Sequence, residues 1–450
     1  MLKRFVALAL VASTPLYAQT NGCSACSVMD IGPGASLHGY TPSPNDLWHL
    51  DVSSMPADLN SSEILTGHFG ATHMHADFGS CVDNNQSCST GIASGIPYVI
   101  VDSGALVNVP PQLYQTDSDI LPAPIPQNLP IEGWPSDCPT DGGDRHAIVI
   151  DKSTGVDYEY WQMARCHGQF TASNNAVWDL TLPDGEQRPY GYTSVDAAGM
   201  SVFEGLIRYD EIEAGVIDHA TRYTTNHSRC DHYMNGDCMG AFILPATHAA
   251  GNISDPLAPV MGMRLRLKAD FDISRFSPTN QIILTAWKRY GLIDADNGGS
   301  GFFQGTPDVR WDDDDLVKLN NIAISNFEVL EIGKVYTPDN PPSTGNAPVL
   351  HSFTASSTTI VKGQTVTLRP TVTGQSYMYI ENAGFTRGPA ITVTPTETTT
   401  YTLVAGSNYL TSSTDSNGTG LRPMQSLTIK VVDQAPKLKI VSLTPKVTIH

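Results

Sequence analysis

The chain has 450 residues, 40% of them hydrophobic and 16% charged, enough for two or three domains and for a core that is stable without staples. Its formal net charge of -19 repels phosphate backbones and anionic headgroups, which excludes nucleic acid and membrane surfaces as partners. Beyond the first residues no stretch approaches the ~20 consecutive apolar residues of a membrane helix, so no membrane insertion is expected.

Residues 1–18 place Lys3 and Arg4 before the apolar run Phe5 to Ala12 and end on Leu16-Tyr17-Ala18, the order of a secretory signal peptide. The expected location is therefore secreted, extracellular or periplasmic, with a mature chain beginning near Gln19. In that oxidising setting the eight cysteines are expected to pair. Proximity favours Cys23 with Cys26, Cys81 with Cys88 and Cys230 with Cys238, leaving Cys138 and Cys166 to pair across a hairpin. A redox or zinc role for Cys23-Ser24-Ala25-Cys26 lacks the second such motif it would need.

After a polar leader over 19–40, the main, catalytic domain is expected over 41–336. Ile96 to Asp102 reads as a buried strand, and His146 to Asp151 and Val156 to Trp161 flank Lys152-Ser153-Thr154-Gly155, the composition of a hairpin turn. Ala176 to Leu182, His219 to Thr225 and Gly262 to Lys268 read as further strands. Helices are fewer. Residues 278–290 bring Ile282, Ile283, Ala286, Trp287 and Tyr290 to one face, 312–322 do the same for Leu316, Leu319 and Ile322, and a short helix is expected over 203–214. The fold class is mainly β, with a β-sandwich or jelly-roll main domain carrying a few peripheral helices.

A proline and glycine linker over 337–347 ends that domain. Short alternating strands then run from Leu350 to Val432 within a second domain over 348–433, and a basic tail occupies 434–450. Phe353-Thr-Ala-Ser356, Lys362-Gly-Gln-Thr-Val-Thr-Leu368 and Val393-Thr-Pro-Thr-Glu-Thr-Thr-Thr-Tyr-Thr-Leu403 resemble bacterial immunoglobulin-like modules, which implies a second β-sandwich.

The hairpin carries the first candidate chemistry. Alternation puts Asp144, His146, Ile148 and Ile150 on one face of its first strand and Asp157, Glu159 and Trp161 on one face of its second. A sheet that holds a sugar chain needs an aromatic ring to stack on the pyranose. It also needs carboxylates to protonate the leaving oxygen and to attack or activate water. Asp144, Glu159 and Asp179, which follows Trp178, are the expected catalytic acids; the alternative is that Asp144 and Glu159 are solvated or paired with Arg145 and Arg165. The expected substrate-binding set is His75, Asp77, His146, Trp161, Trp178, Asp196, Asp210, His219 and Arg222.

Each of these has a plainer reading. His73, His75 and Asp77 share a face if extended and could ligate a transition metal, yet spacing supplies neither a further ligand nor a supporting shell, and no metal residue is assigned. Asp196, Asp210, Glu211, His219 and Arg222 line one wall of a cleft or form an internal ion network. Asp312 to Asp315 cap the start of a helix. A structural calcium ion would suit the same oxygens, although the spacing and glycine of an EF-hand are missing, and the chemistry requires no cofactor. The chain has no Gly-x-Ser-x-Gly elbow, no phosphate-cradling glycine loop and no HExxH helix.

Gly95-Ile-Pro-Tyr98, Gly143-Asp-Arg-His146, Tyr158-Glu159, Thr193-Ser-Val-Asp-Ala-Ala-Gly199, Arg208-Tyr-Asp-Glu211, His219-Ala-Thr-Arg222 and Arg310-Trp-Asp-Asp-Asp-Asp-Leu316 together resemble a family of secreted microbial proteins often fused to immunoglobulin-like or carbohydrate-binding modules. The resemblance spans roughly residues 45 to 332 and implies one domain in extracellular company; Tyr192 and Val195 depart from the Trp and Ala of that pattern. The expected partner is an extracellular polysaccharide and the expected activity glycoside hydrolysis. A lyase working through a histidine or tyrosine base, and a carbohydrate-binding or surface-structural protein, are the alternatives.

Overall fold

The computed structural model describes residues 46–81, 95–101, 104–115, 117–140, 142–180, 188, 191–231, 233–234, 237–238, 241–331, 334–337, 349–373, 377–380, 382–385, 390–406 and 422–433. The signal peptide, leader, linker and tail expected from sequence lie outside them, save Thr337 at the linker's start. Among the described residues the structure is mainly β, with 32% strand against 14% helix, in several sheets. No helix among the described residues is long and apolar enough to cross a membrane.

Up to residue 331 the strands are, in chain order, β1 (His75–Ala76), β2 (Tyr98–Val101), β3 (Ala147–Asp151), β4 (Val156–Trp161), β5 (Ala164–Cys166), β6 (Gln169–Thr171), β7 (Asn174–Asp179), β8 (Thr221–Thr225), β9 (Tyr233–Met234), β10 (Asp237–Cys238), β11 (Arg264–Leu267), β12 (Leu292–Asn297), β13 (Phe302–Phe303) and β14 (Phe327–Val329). Two sheets matter for the site. One runs β2-β3-β4-β7, with β2 and β3 parallel and the rest antiparallel. Both its faces are covered: Ile100, Ile148, Ile150 and Trp178 pack against Val202, Phe203 and Leu206, while Val99, Val101, Val149 and Tyr158 pack under the segment containing Leu121, Ile125 and Ile131. That double burial explains why β3 reads as a continuous apolar run rather than an alternating one.

The other sheet runs β1-β13-β8-β12-β11-β14, with β1 parallel to β13 and β8 parallel to β12. The helix Pro278–Arg289 supports it. Ser277 caps this helix by accepting from the Asn280 amide (3.1 Å), Pro278 sits where its missing N–H costs nothing, and Lys288 and Arg289 face the negative end of the dipole. Its buried stripe includes Ile283, Leu284, Ala286 and Trp287, and the Trp287 indole donates to Thr221 Oγ1 (3.0 Å).

The other two helical readings are shortened. Residues 203–214 split into a 3-10 turn, Phe203–Gly205, and a helix, Tyr209–Ala214. Gly205 lies against the Trp48 ring and the Arg222 stem, where a Cβ would come within 2.8 Å, so the chain there follows its packing. Asp312 caps a helix of one turn, Asp313–Leu316, that tightens into 3-10 over Val317–Asn321.

Cys138, in the loop before β3, is bonded to Cys166 at the end of β5, the pair that remains once proximity has assigned the other six cysteines. Cys81 and Cys230 are also disulfide-bonded, with partners beyond the described side chains. The Cys138–Cys166 bond closes a loop with a sequence separation of 28. Replacing both by serine is expected to lower the unfolding free energy by about 3.5 kcal/mol through the freed entropy of the unfolded chain. Urea titration measures this, and an unchanged midpoint and slope would refute it.

In the C-terminal part, β15 (Val349–Ala355), β17 (Val366–Thr373) and β20 (Ile391–Val393) form one sheet. A second sheet contains β16 (Thr359–Val361), β18 (Tyr377–Ile380), β19 (Gly384–Phe385), β21 (Thr399–Gly406) and β22 (Arg422–Val432). The two share one core, in which Phe353, Val366 and Leu368 meet Ile380, Tyr401, Leu403 and Ile429.

Candidate active site

The β1-β13-β8-β12 ladder sets out the site. His75 pairs with Phe302, Phe302 with Thr224, and Thr224 with Asp296, so these four stand in one row on one face. In the next row the Asp77 amide donates to the Phe303 carbonyl (3.0 Å) and the Gln304 amide to the Arg222 carbonyl (3.3 Å), placing Asp77, Gln304 and Arg222 on that same face. The His75 ring stacks on Phe302 with centroids 4.0 Å apart. Asp296 reaches this face through a bulge. The β8–β12 register passes from Asp294 opposite Tyr223 to Asp296 opposite Thr224, and the extra residue, Ala295, turns the two acids to opposite faces.

Arg222 is fully buried, with Nη2 3.2 Å from Asp196 and 4.0 Å from Asp296. Asp196 is itself fastened by its own loop: Oδ1 accepts from the Ser194 hydroxyl (2.9 Å) and from the Ala198 and Met200 amides (3.1 and 3.0 Å). Gly199 closes this loop at φ 74, where a Cβ would collide with Thr247 Oγ1 and the Tyr192 carbonyl. The Thr193 to Gly199 motif is therefore a device for aiming one carboxylate at one guanidinium.

A second cation completes the centre. His146 donates from Nδ1 to Glu132 (2.6 Å) and from Nε2 to the Val195 carbonyl (3.1 Å), so both ring nitrogens carry protons. Burial opposes that charge, yet Glu132, with Asp144 and Asp296 behind it, raises the imidazolium to about 9. Glu132 is likewise held below its ordinary value, the imidazolium overcoming the cost of burial.

Two acids in the same network behave differently. Burial, reinforced by the negative charges of Glu132 and Asp144, pushes Asp77 up to about 6. Burial and the charge of Asp196 push Asp296 up to about 7, although Arg222 and His146 pull the other way. Asp296 keeps 23% of its side chain exposed, enough for a substrate to meet it. Partial burial lowers His75.

The expected residues separate into three groups. His75, Asp77, His146, Asp196 and Arg222 gather here, joined by Glu132, Gln304 and Asp296. Asp144 stands exposed at the edge, where its Oδ1 accepts from the Trp161 indole (3.2 Å).

Glu159 and Trp178 lie elsewhere, sealed in the core. Glu159 accepts from the Trp178 indole (3.0 Å), the Ser201 hydroxyl (3.0 Å) and the Phe203 amide (2.8 Å). Asp157 shares the face of Glu159, and burial raises both carboxyls. Asp179 sits opposite Val156 and so points to the other face of the sheet from Glu159. The acids Asp144, Glu159 and Asp179 therefore do not converge.

Asp210 and His219 belong to a further network. His219 Nε2 is 2.8 Å from Glu211, which also pairs with Arg208, all three buried, so this part of the chain is an internal ion network. Burial raises Asp210 to about 6 beside it.

His73 is exposed, its Nδ1 3.0 Å from the Ala71 carbonyl. Among the described residues, Cys138, Cys166 and His167 are the one group close enough to hold an ion, and those two sulfurs are already a disulfide. Of the acids suggested for calcium, Asp312 caps its helix, Asp313 accepts from Ser80 (2.7 and 2.8 Å) and Asp315 pairs with Lys318 (3.0 Å).

Sequence reasoning missed Glu132, Asp296 and Gln304. Asp294-Ala295-Asp296 carries a signal, two acids inside an apolar strand, but alternation alone would put both on one face. No family model matches the chain, and no curated protein or solved structure matches it.

Proposed function

We propose that the protein is a secreted glycoside hydrolase that cleaves an extracellular polysaccharide, with Asp296 as general acid and Asp77 as general base. The observation that carries this is the pair of raised carboxyls, about 6 at Asp77 and about 7 at Asp296, on one sheet face around the Arg222 and His146 cations. At neutral pH about half of the Asp296 carboxyls hold a proton to give to the glycosidic oxygen, while Asp77 is largely ionised and can take one from water. Three strand spacings, roughly 14 Å, separate their backbones, too far for the roughly 5 Å of retention, so the pair works by inversion only with both side chains leaning in over the bound sugar. Arg222 and His146 would orient sugar hydroxyls, and the His75–Phe302 stack offers a flat edge to the ring.

A lyase finds less support. Of the four bases such a lyase could use, His146 is charged up to about pH 9, His219 is buried against Glu211 and Tyr160 is buried in the core, which leaves His75 among them. The disulfides suit an oxidising compartment, and the two C-terminal sheets over one core suit an immunoglobulin-like sandwich. Kinship with the secreted microbial proteins of the Gly95-Ile-Pro-Tyr98 and Arg208-Tyr-Asp-Glu211 pattern is part of the same proposal.

The test is reducing-end release over a panel of neutral and acidic polysaccharides, with absorbance at the unsaturated-uronate wavelength read in parallel and chelator present or absent. Saturated product that persists in chelator is expected. Unsaturated product would replace hydrolysis by elimination, and silence across the panel with binding intact would leave a carbohydrate-binding protein.

A further inference from the structure

We infer that Tyr114, Trp161 and Asp144 form a subsite that stacks a neutral pyranose of the polymer beside the candidate active site. The inference rests on the carbohydrate reading above and adds a place for a second sugar. The Tyr114 and Trp161 rings stand 5.8 Å apart, tilted by 52°, with Tyr114 46% exposed and Leu113 beside it 64% exposed. Trp161 is partly exposed, and its indole N–H is committed to Asp144 (3.2 Å), which fixes the ring and sets a carboxylate at its rim.

The ledge is built before any ligand arrives. The Tyr114 amide donates to the Ser173 carbonyl (3.1 Å), and the Ser173 amide donates to the Trp161 carbonyl (2.8 Å), so the loop that carries Tyr114 is tied to β4. At the same end of the hairpin regular pairing stops at Ala147 and Tyr160, and Arg145 and Gln162 both take left-handed backbones, at φ 47 and 51. For residues with a Cβ such conformations are costly and are kept where the surroundings demand them.

Two rings with a hydrogen-bonding rim match one pyranose, whose C–H face packs on an aromatic while its hydroxyls reach the carboxylate. A protein partner would need roughly 800 Å² on this side, far more than two rings supply. A uronate would meet the Asp144 charge, which favours a neutral sugar. The ledge also borders the site: His146 adjoins Ala147, the partner of Tyr160, and the charge of Asp144 is felt at both His146 and Asp77.

Affinity electrophoresis of the full chain in gels cast with β-glucan, xylan, glucomannan, pectin or alginate tests this. Retardation is expected in at least one neutral gel, kept by Asp296→Asn and weakened at least about five-fold by Trp161→Ala and by Tyr114→Ala. Circular dichroism checks folding, and Tyr114→Ala, at an exposed position, decides the matter if Trp161→Ala does not fold. Retardation that both ring variants preserve, retardation in acidic gels alone, or none in any gel would overturn the subsite. Ring-dependent retardation by a wild-type protein that releases no reducing ends would uphold the subsite while removing the hydrolase.

Discussion

Asp296→Asn is expected to lower kcat/KM for polysaccharide cleavage by about 10²- to 10⁴-fold, the usual contribution of a positioned acid or base. The amide keeps the size of the side chain and its place beside Arg222, 4.0 Å away, but has no proton to give to the glycosidic oxygen. The pH profile tests the same assignment from the other direction. Activity needs Asp77 ionised and Asp296 protonated. Since burial and like charges raise them to about 6 and about 7, kcat/KM should rise as pH climbs through 6 and fall as it passes 7. Asp77→Asn should remove the acid limb along with most of the activity, whereas Asp296→Asn should remove the alkaline limb. A profile flat from pH 5 to 8 in the wild type, or an Asp296→Asn enzyme at full rate, would falsify the pairing.

Glu159→Ala is expected to destabilise the fold by about 4 kcal/mol, because it strands three buried donors at once, each worth roughly 1–3 kcal/mol when left unmade. Those donors are the Trp178 indole on β7, the Ser201 hydroxyl and the Phe203 amide, and the last two pin the 200–206 segment to β4. Thermal or urea unfolding reads the loss. Glu159→Gln keeps one acceptor oxygen and should lose less, with turnover per folded molecule retained; a Glu159→Gln protein that is fully stable yet inactive would return this residue to catalysis. Asp157 adds a pH dependence. Its carboxyl is raised in the fold, so folding takes up a proton, and stability is greatest below the ordinary value of 3.8 and declines as pH rises toward the raised one. Asp157→Asn should flatten that slope over the same range.

Much of the fold could be read from residues alone. The hairpin around Lys152-Ser153-Thr154-Gly155, the capped helix Pro278–Arg289 and the mainly β character follow from local rules: turn composition, apolar period and capping. Each depends on neighbours a few residues away or on a short span of chain. The C-terminal strands fall close to the alternating segments for the same reason.

The candidate site was half legible. His75 with Asp77, and Asp196 with Arg222, stood out as chemistry-bearing types in dense local motifs, and strand alternation placed the first two on one face. Which acids meet was decided in three dimensions. Burial beneath Phe203 turned Glu159 from a candidate catalyst into an acceptor for core donors, and the Ala295 bulge carried Asp296 across the strand to Arg222. Glu132 joined only because its loop returns to His146. Local sequence sets which face of a strand a side chain takes, but the charge it bears depends on how far water is excluded and which other charges the packed sheets bring near. Those two quantities come into being only when distant segments are folded together.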